Sequence, residues 1–130
     1  NVLPMLFALG FMAWMGLTLR IATAMILAIA LGIAVDDTIH LLLRLKRESD
    51  DGFRPLEAVH RAIAHTGRAI LLTSVILVAG FASMMTSEVL GLRDMGIVGS
   101  VALIAALVAD VLLAPAFYLL SFPKAARTPG

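Results

Sequence analysis

The 130 residues fit a single domain, and 61% of them are hydrophobic, against roughly 45–50% in ordinary soluble domains. With a mean hydropathy of +1.00, this is the sequence of a membrane protein. Ten Lys and Arg against nine Asp and Glu leave a net charge of +1, which gives no bulk attraction to nucleic acid, and the lack of cysteine excludes disulfides and thiolate metal sites.

The chain opens at Asn1 in apolar sequence, with neither an initiator Met nor a charged n-region ahead of a cleavage site, and reads as a piece of a longer protein. A spanning helix needs about 20 mostly apolar residues, because every backbone amide must find its partner inside the hydrocarbon. Four stretches meet this. The first runs from about Val2 to Leu17 or Leu19 and carries Trp14 towards one interface. The second covers about 21–43 and ends in the basic flank of Arg44, Lys46 and Arg47. A third spans about 69–85 and a fourth about 95–120, where Pro115 is expected to kink or shorten the last turns.

The connector over 44–68 differs in character. Ser49, Asp50, Asp51 and Gly52 read as a turn, and Pro55 suits the first position of a helix, whose amide would be unpaired anyway. Leu56, Val59 and Ile63 recur at helical spacing, which predicts a short amphipathic helix at the membrane surface. Arg44, Lys46, Arg47, Arg54, Arg61 and Arg68 lie in this connector and Lys124 and Arg127 in the tail, whereas only Arg20 and Arg93 fall on the other side. The positive-inside rule therefore makes the connector and both ends cytoplasmic. The expected layout is an all-α polytopic helix bundle, with a partial transmembrane domain over 1–122 and a polar cytoplasmic tail over 123–130.

The stretch "GIAVDDTIH", residues 32–40, sets Asp36 and Asp37 side by side well inside the second span. At 1.5 Å per residue, Asp37 stands on the order of 10 Å from the basic flank, too far for an aspartate to reach water by snorkelling. A charged carboxylate at a helix centre costs about 2.5–3.5 kcal/mol on insertion scales, so it must face the bundle interior and pair, hydrate or bind a proton. Adjacent carboxyls titrate as a coupled unit, and a coupled pair is suited to carrying protons. The plainer alternative is that they hydrogen-bond across helices and fix packing. His40, at i+4 from Asp36, is placed either to pass a proton or to stand as a satisfied interfacial histidine. Gly32 and Ala34 are small enough for close packing beside the acids.

Thr73 and Ser74 on the third span offer hydroxyls that could bridge the aspartates, or simply bond their own backbone. Asp110 on the fourth span is another buried carboxylate, a relay member or a structural support. A metal site is disfavoured because no second histidine is in helical register with Asp36 and His40, and His60 and His65 belong to the surface helix. An intramembrane aspartyl protease needs two aspartates on different helices, as Asp37 and Asp110 are, but its Gly-x-Gly-Asp context is missing and the doublet has no role in it.

"LAIALGIAVDDTIHLLLRLKRE", with its G-x-x-V-D-D motif, followed by "DGFRPLEAVHRA", "TGRAILLTSVILVAGF" and "ADVLLAPAFYLL", resembles one transmembrane half of RND (resistance-nodulation-division) transporters. It is most similar to the MMPL-like predicted-exporter branch, which is related to sterol-sensing domains, and the likeness covers the third to sixth helices of a six-helix repeat. The resemblance implies a proton-driven exporter of hydrophobic or amphiphilic molecules, lipids among them, and not an enzyme. Asp36 and Asp37 match the family's relay acids and Thr73 its relay threonine; His40 and Asp110 lie outside the general pattern. Protons are then the coupling ion and no other cofactor is implied. The expected partners are membrane lipids, the remaining helices and external domains of the parent, and a pseudo-symmetric second half or oligomer. The expected location is the bacterial inner membrane, with the second span at the centre of the bundle. The family's relay lysine and large external domains have no counterpart in these residues. A sterol-sensing-like module that binds lipid or a partner protein without transport is the alternative.

Overall fold

The computed structural model describes residues 2–121 and holds five α-helices: α1 (Val2–Trp14), α2 (Ile21–Asp50), α3 (Pro55–Ala62), α4 (Arg68–Met84) and α5 (Leu90–Ser121). A π-helical turn, Ile63–Gly67, joins α3 to α4 without a break. The predicted tail, with Lys124 and Arg127, lies outside the described residues. Three continuous runs, Ile21–Asp50, Pro55–Met84 and Leu90–Leu120, are long and apolar enough to cross a membrane, and α1 is a shorter apolar helix. The chain is an all-α integral membrane protein.

Helix ends follow from local chemistry. α1 stops at Trp14, short of the predicted Leu17, because Gly16 takes φ +68° and lets the Leu17 amide fold back onto the Met12 carbonyl at 2.9 Å. α2 runs seven residues past Leu43, so the basic flank continues the helix instead of ending it. It closes where Gly52, at φ +86°, turns the chain and the Asp51 amide bonds the Arg47 carbonyl at 3.0 Å. α3 begins with Pro55 at its first position and places Glu57 in its first turn and His60 and Arg61 in its last, as the helix dipole favours. Its packing face is Ala58, Val59 and Ala62, with Ile63 against the same cluster, so Val59 and Ile63 of the predicted stripe meet the bundle together with two alanines while Leu56 is exposed. α5 continues through Pro115 to Ser121 and is not shortened by it.

The centre of the bundle is α5, which packs against α1, α2, α3 and α4. This corrects the expectation that the second span would be central. The reason is side-chain size. At Gly96 an added Cβ would stand 2.6 Å from the Phe81 carbonyl oxygen and 2.9 Å from the Met85 amide, and at Gly99 it would meet Phe81 and Ile26. These glycines let α5 approach α4 and α2 at once, as small residues do at helix interfaces in membranes. Gly32, by contrast, has open space before it, so only Ala34 of the pair beside the acids is buried in packing.

Two apolar clusters result. One joins Ala8, Met12, Ile26, Leu27, Ala30, Val98, Ala102 and Leu103, with Leu77, Val78 and Phe81 of α4 against it. The second joins Leu41, Leu45, Val59, Ala62 and Ile70. Between them in register lie Asp36, Asp37 and Thr38 on α2 and Thr73 and Ser74 on α4.

Candidate functional site: a polar layer between two apolar cores

α2 and the π turn with the start of α4 enclose an open groove of about 520 Å³. Asp36, Asp37 and His40 line it from α2, and His65, Thr66 and Thr73 face them. Asp36 reaches His40 one turn on, Oδ1 to Nε2 at 3.5 Å, with both side chains more than half exposed. Asp37 is half-buried. The Thr73 hydroxyl donates to its own helix, at 3.1 Å from the Ala69 carbonyl and 3.0 Å from that of Ile70. It therefore shares the groove with the aspartates without bridging them. Ser74 is buried, on the side turned away from the groove lining.

Asp110 is 4% exposed and is held from α2: Thr38 Oγ1 lies 2.5 Å from its Oδ1. The same hydroxyl is 2.8 Å from the Ala34 carbonyl. The acids thus divide, with Asp36 and Asp37 on the groove towards α4 and Asp110 on the seam with α5. Thr38 carries little signal in the sequence, although it adjoins the doublet in a span otherwise short of hydroxyls. His65 was placed on a separate surface helix; the π turn carries it into the groove instead, and such turns recur at functional positions.

Below the acids, Arg44 and Arg47 also line the groove. Arg44 is committed to Glu48, Nη2 to Oε1 at 2.7 Å, and the Glu48 side chain is only 6% exposed. Phe53 lies under the Arg61 guanidinium at 3.9 Å, which ties the turn after α2 to α3. Among the described residues no three His, Asp or Glu side chains stand together as a metal site. A second groove, about 580 Å³, is lined wholly by apolar residues of α1 and α5, Phe7, Phe11, Ile104 and Leu112 among them.

Residues 2–127 match the model of the MMPL family. The chain belongs to the MMPL family. The RND resemblance carried by the Asp-Asp motif is thereby upheld. Similar proteins include a membrane protein of Methanocaldococcus jannaschii, 29% identical over 119 residues, 88% of this chain and 31% of that protein. The transport protein MmpL11 of Mycobacterium leprae is 29% identical over 104 residues, covering 80% of this chain and 10% of that protein. The multidrug resistance protein MdtC of Pectobacterium carotovorum is 32% identical over 103 residues, 77% of this chain and 10% of that protein. This MMPL chain thus spans between a tenth and a third of the length of these curated relatives. No solved structure matches it.

Proposed function

We propose that this MMPL chain is the proton-coupling segment of an RND-type exporter driven by the proton gradient. Its substrates are hydrophobic or amphiphilic molecules, with lipids in that class. The observation that carries the reading is the groove in which Asp36, Asp37, His40 and Thr73 meet at the level between the two apolar cores. MMPL membership and the transport and multidrug-resistance names of the relatives support it.

In this mechanism Asp36 and Asp37 take protons from the outer side, and the loss of charge removes the cost of holding carboxylates in the bilayer. The helices then shift between conformations, and release to the cytoplasm restores the charge. Thr73 orders the proton path across the groove, and His40, one turn below Asp36, receives the proton on its way out. Ser74 and Asp110 support the layer from α4 and α5. The groove is open, and in this reading a pseudo-symmetric second half or a second copy covers it. The setting is the bacterial inner membrane, with the connector and both ends of the chain cytoplasmic; membrane lipids and external domains complete the transporter. No covalent chemistry is assigned, protease action included.

The wholly apolar groove between α1 and α5 favours a second reading, a sterol-sensing-like module that binds lipid without transport. One experiment separates the two. Asp36→Asn or Asp37→Asn in the full-length protein should abolish gradient-dependent export at unchanged expression; export at the wild-type rate overturns the relay.

A further inference from the structure

The contact between α2 and α5 at Thr38 has a property that the groove lacks. Thr38 Oγ1 stands within hydrogen-bond distance of two acceptors, the Ala34 carbonyl on its own helix at 2.8 Å and Asp110 Oδ1 on α5 at 2.5 Å. A hydroxyl carries one proton and so satisfies one of them at a time. When Asp110 is ionised it accepts from Thr38, and the bond back to Ala34 is released. When Asp110 holds a proton it donates to Thr38 Oγ1, and the threonine proton turns to Ala34. A back-bond of this kind bends the helix that makes it. The proton on Asp110 therefore sets the local geometry of α2 one residue from Asp37.

We propose that Thr38 and Asp110 form a proton-read latch, in which protonation of Asp110 switches the Thr38 hydroxyl from α5 to the α2 backbone and changes how the two helices are joined. The surroundings suit this. Asp110 is buried, and among the described residues it has no ion-pair partner. From α2 the nearest charged neighbour is the Asp37 carboxylate, which repels a charge on Asp110. α1 and the part of α4 beyond Arg68 carry no titratable side chain, while α3 brings Glu57, His60 and Arg61, the last engaged with Glu57 at 3.5 Å. Among the described residues no side-chain cation pairs with Asp110, which leaves a proton as the means of neutralising it there. Thr38 and Asp110 both line a groove of about 450 Å³ between Leu42 and Phe117, on the opposite side of α2 from the relay groove, so the pair is reachable from outside the packed core. The latch deepens the proposed relay and rests on it for the source of its proton, but its chemistry is visible without transport.

The test is infrared difference spectroscopy of the full-length protein in native-like membranes, titrated across the whole pH range in which it stays folded. The protonated-carboxyl stretch should grow as pH falls, be lost in Asp110→Asn, move in Thr38→Val and keep its position in Thr38→Ser. If no titrating band belongs to Asp110 over that range, or if Thr38→Val leaves the band where it was, the latch is overturned. Should Asp110→Asn fail to reach the membrane, Thr38→Val decides alone, since it leaves the carboxyl in place. Asp36→Asn separates this proposal from the relay: export that survives it removes the relay, while a titrating, Thr38-sensitive band in the same variant keeps the latch.

Discussion

The seam between α4 and α5 and the groove between α2 and α4 lie within one bundle but follow opposite rules. At the seam Gly96 leaves no room for even a methyl group, so the helices are fixed in relative position. In the groove the acids, His40 and Thr73 face open space, and the polar layer is joined across helices by the bond of Thr38 to Asp110. The seam supplies rigidity by excluding side chains, and the polar layer keeps freedom by leaving its groups underpacked. A transporter needs both: one interface that holds while another changes its charge.

The widest break in that comparison comes from the acids themselves, since Asp37→Asn is expected to eliminate export while leaving thermal unfolding of the purified protein near wild type. Next in size, Gly96→Val drives Cγ atoms into the Phe81 and Met85 backbone. Overpacking of this kind costs about 1–3 kcal/mol, and the rigid backbone contact puts this case at the upper end. Chemical denaturation in mixed micelles should show it, and an unchanged midpoint would mean that the seam yields. Glu48→Ala strips the partner from Arg44 at the foot of the groove. A hydrogen bond to a charged group is worth about 1.5–3 kcal/mol, and the part-exposed Arg44 places the loss towards the lower figure. Thr73→Val sharpens the contrast by separating stability from function: its hydroxyl bonds only its own helix, so stability should stay within about 0.5 kcal/mol while proton-coupled export slows, with Thr73→Ser restoring the rate. The smallest effect is that of His40→Gln on stability. An exposed i,i+4 pair contributes about 0.3–0.5 kcal/mol, and a larger loss in the same denaturation assay would show that the Asp36–His40 contact is not a surface pair.

Hydropathy was enough to find the three long helices and to mark Asp36, Asp37 and Asp110 as anomalies, because apolar content and intramembrane charge are properties of the residues themselves. The identity of the central helix was harder to read. Both the second and fourth spans are apolar, and what decides between them is the stripe of Gly96, Gly99, Ala102 and Ala106 at three- and four-residue spacing, a signal of shape and not of polarity. Thr38 was hidden by its neighbours: beside two aspartates a hydroxyl carries little weight until the opposing Asp110 is placed. His65 escaped because a five-residue interval from His60 means one thing on an α-helix and another across a π turn, where the extra residue rotates it onto the groove. Leu56 misled in the other direction, since it is exposed while Val59 and Ile63 of the same stripe pack beside Ala58 and Ala62.

The unbroken passage from α3 through the π turn into α4 gives the molecule a lever. Thirty residues from Pro55 to Met84 make a rod of about 45 Å, against a hydrocarbon layer of about 30 Å. The excess is about a third of its length, and the charged end bearing Arg61 and His60 is the part suited to lie outside the hydrocarbon. A tilt of about 10° around the buried end sweeps Pro55 through roughly 8 Å. The same tilt moves Thr73, about 16 Å from that end, by only about 3 Å, so a displacement at the groove is enlarged nearly threefold at Pro55.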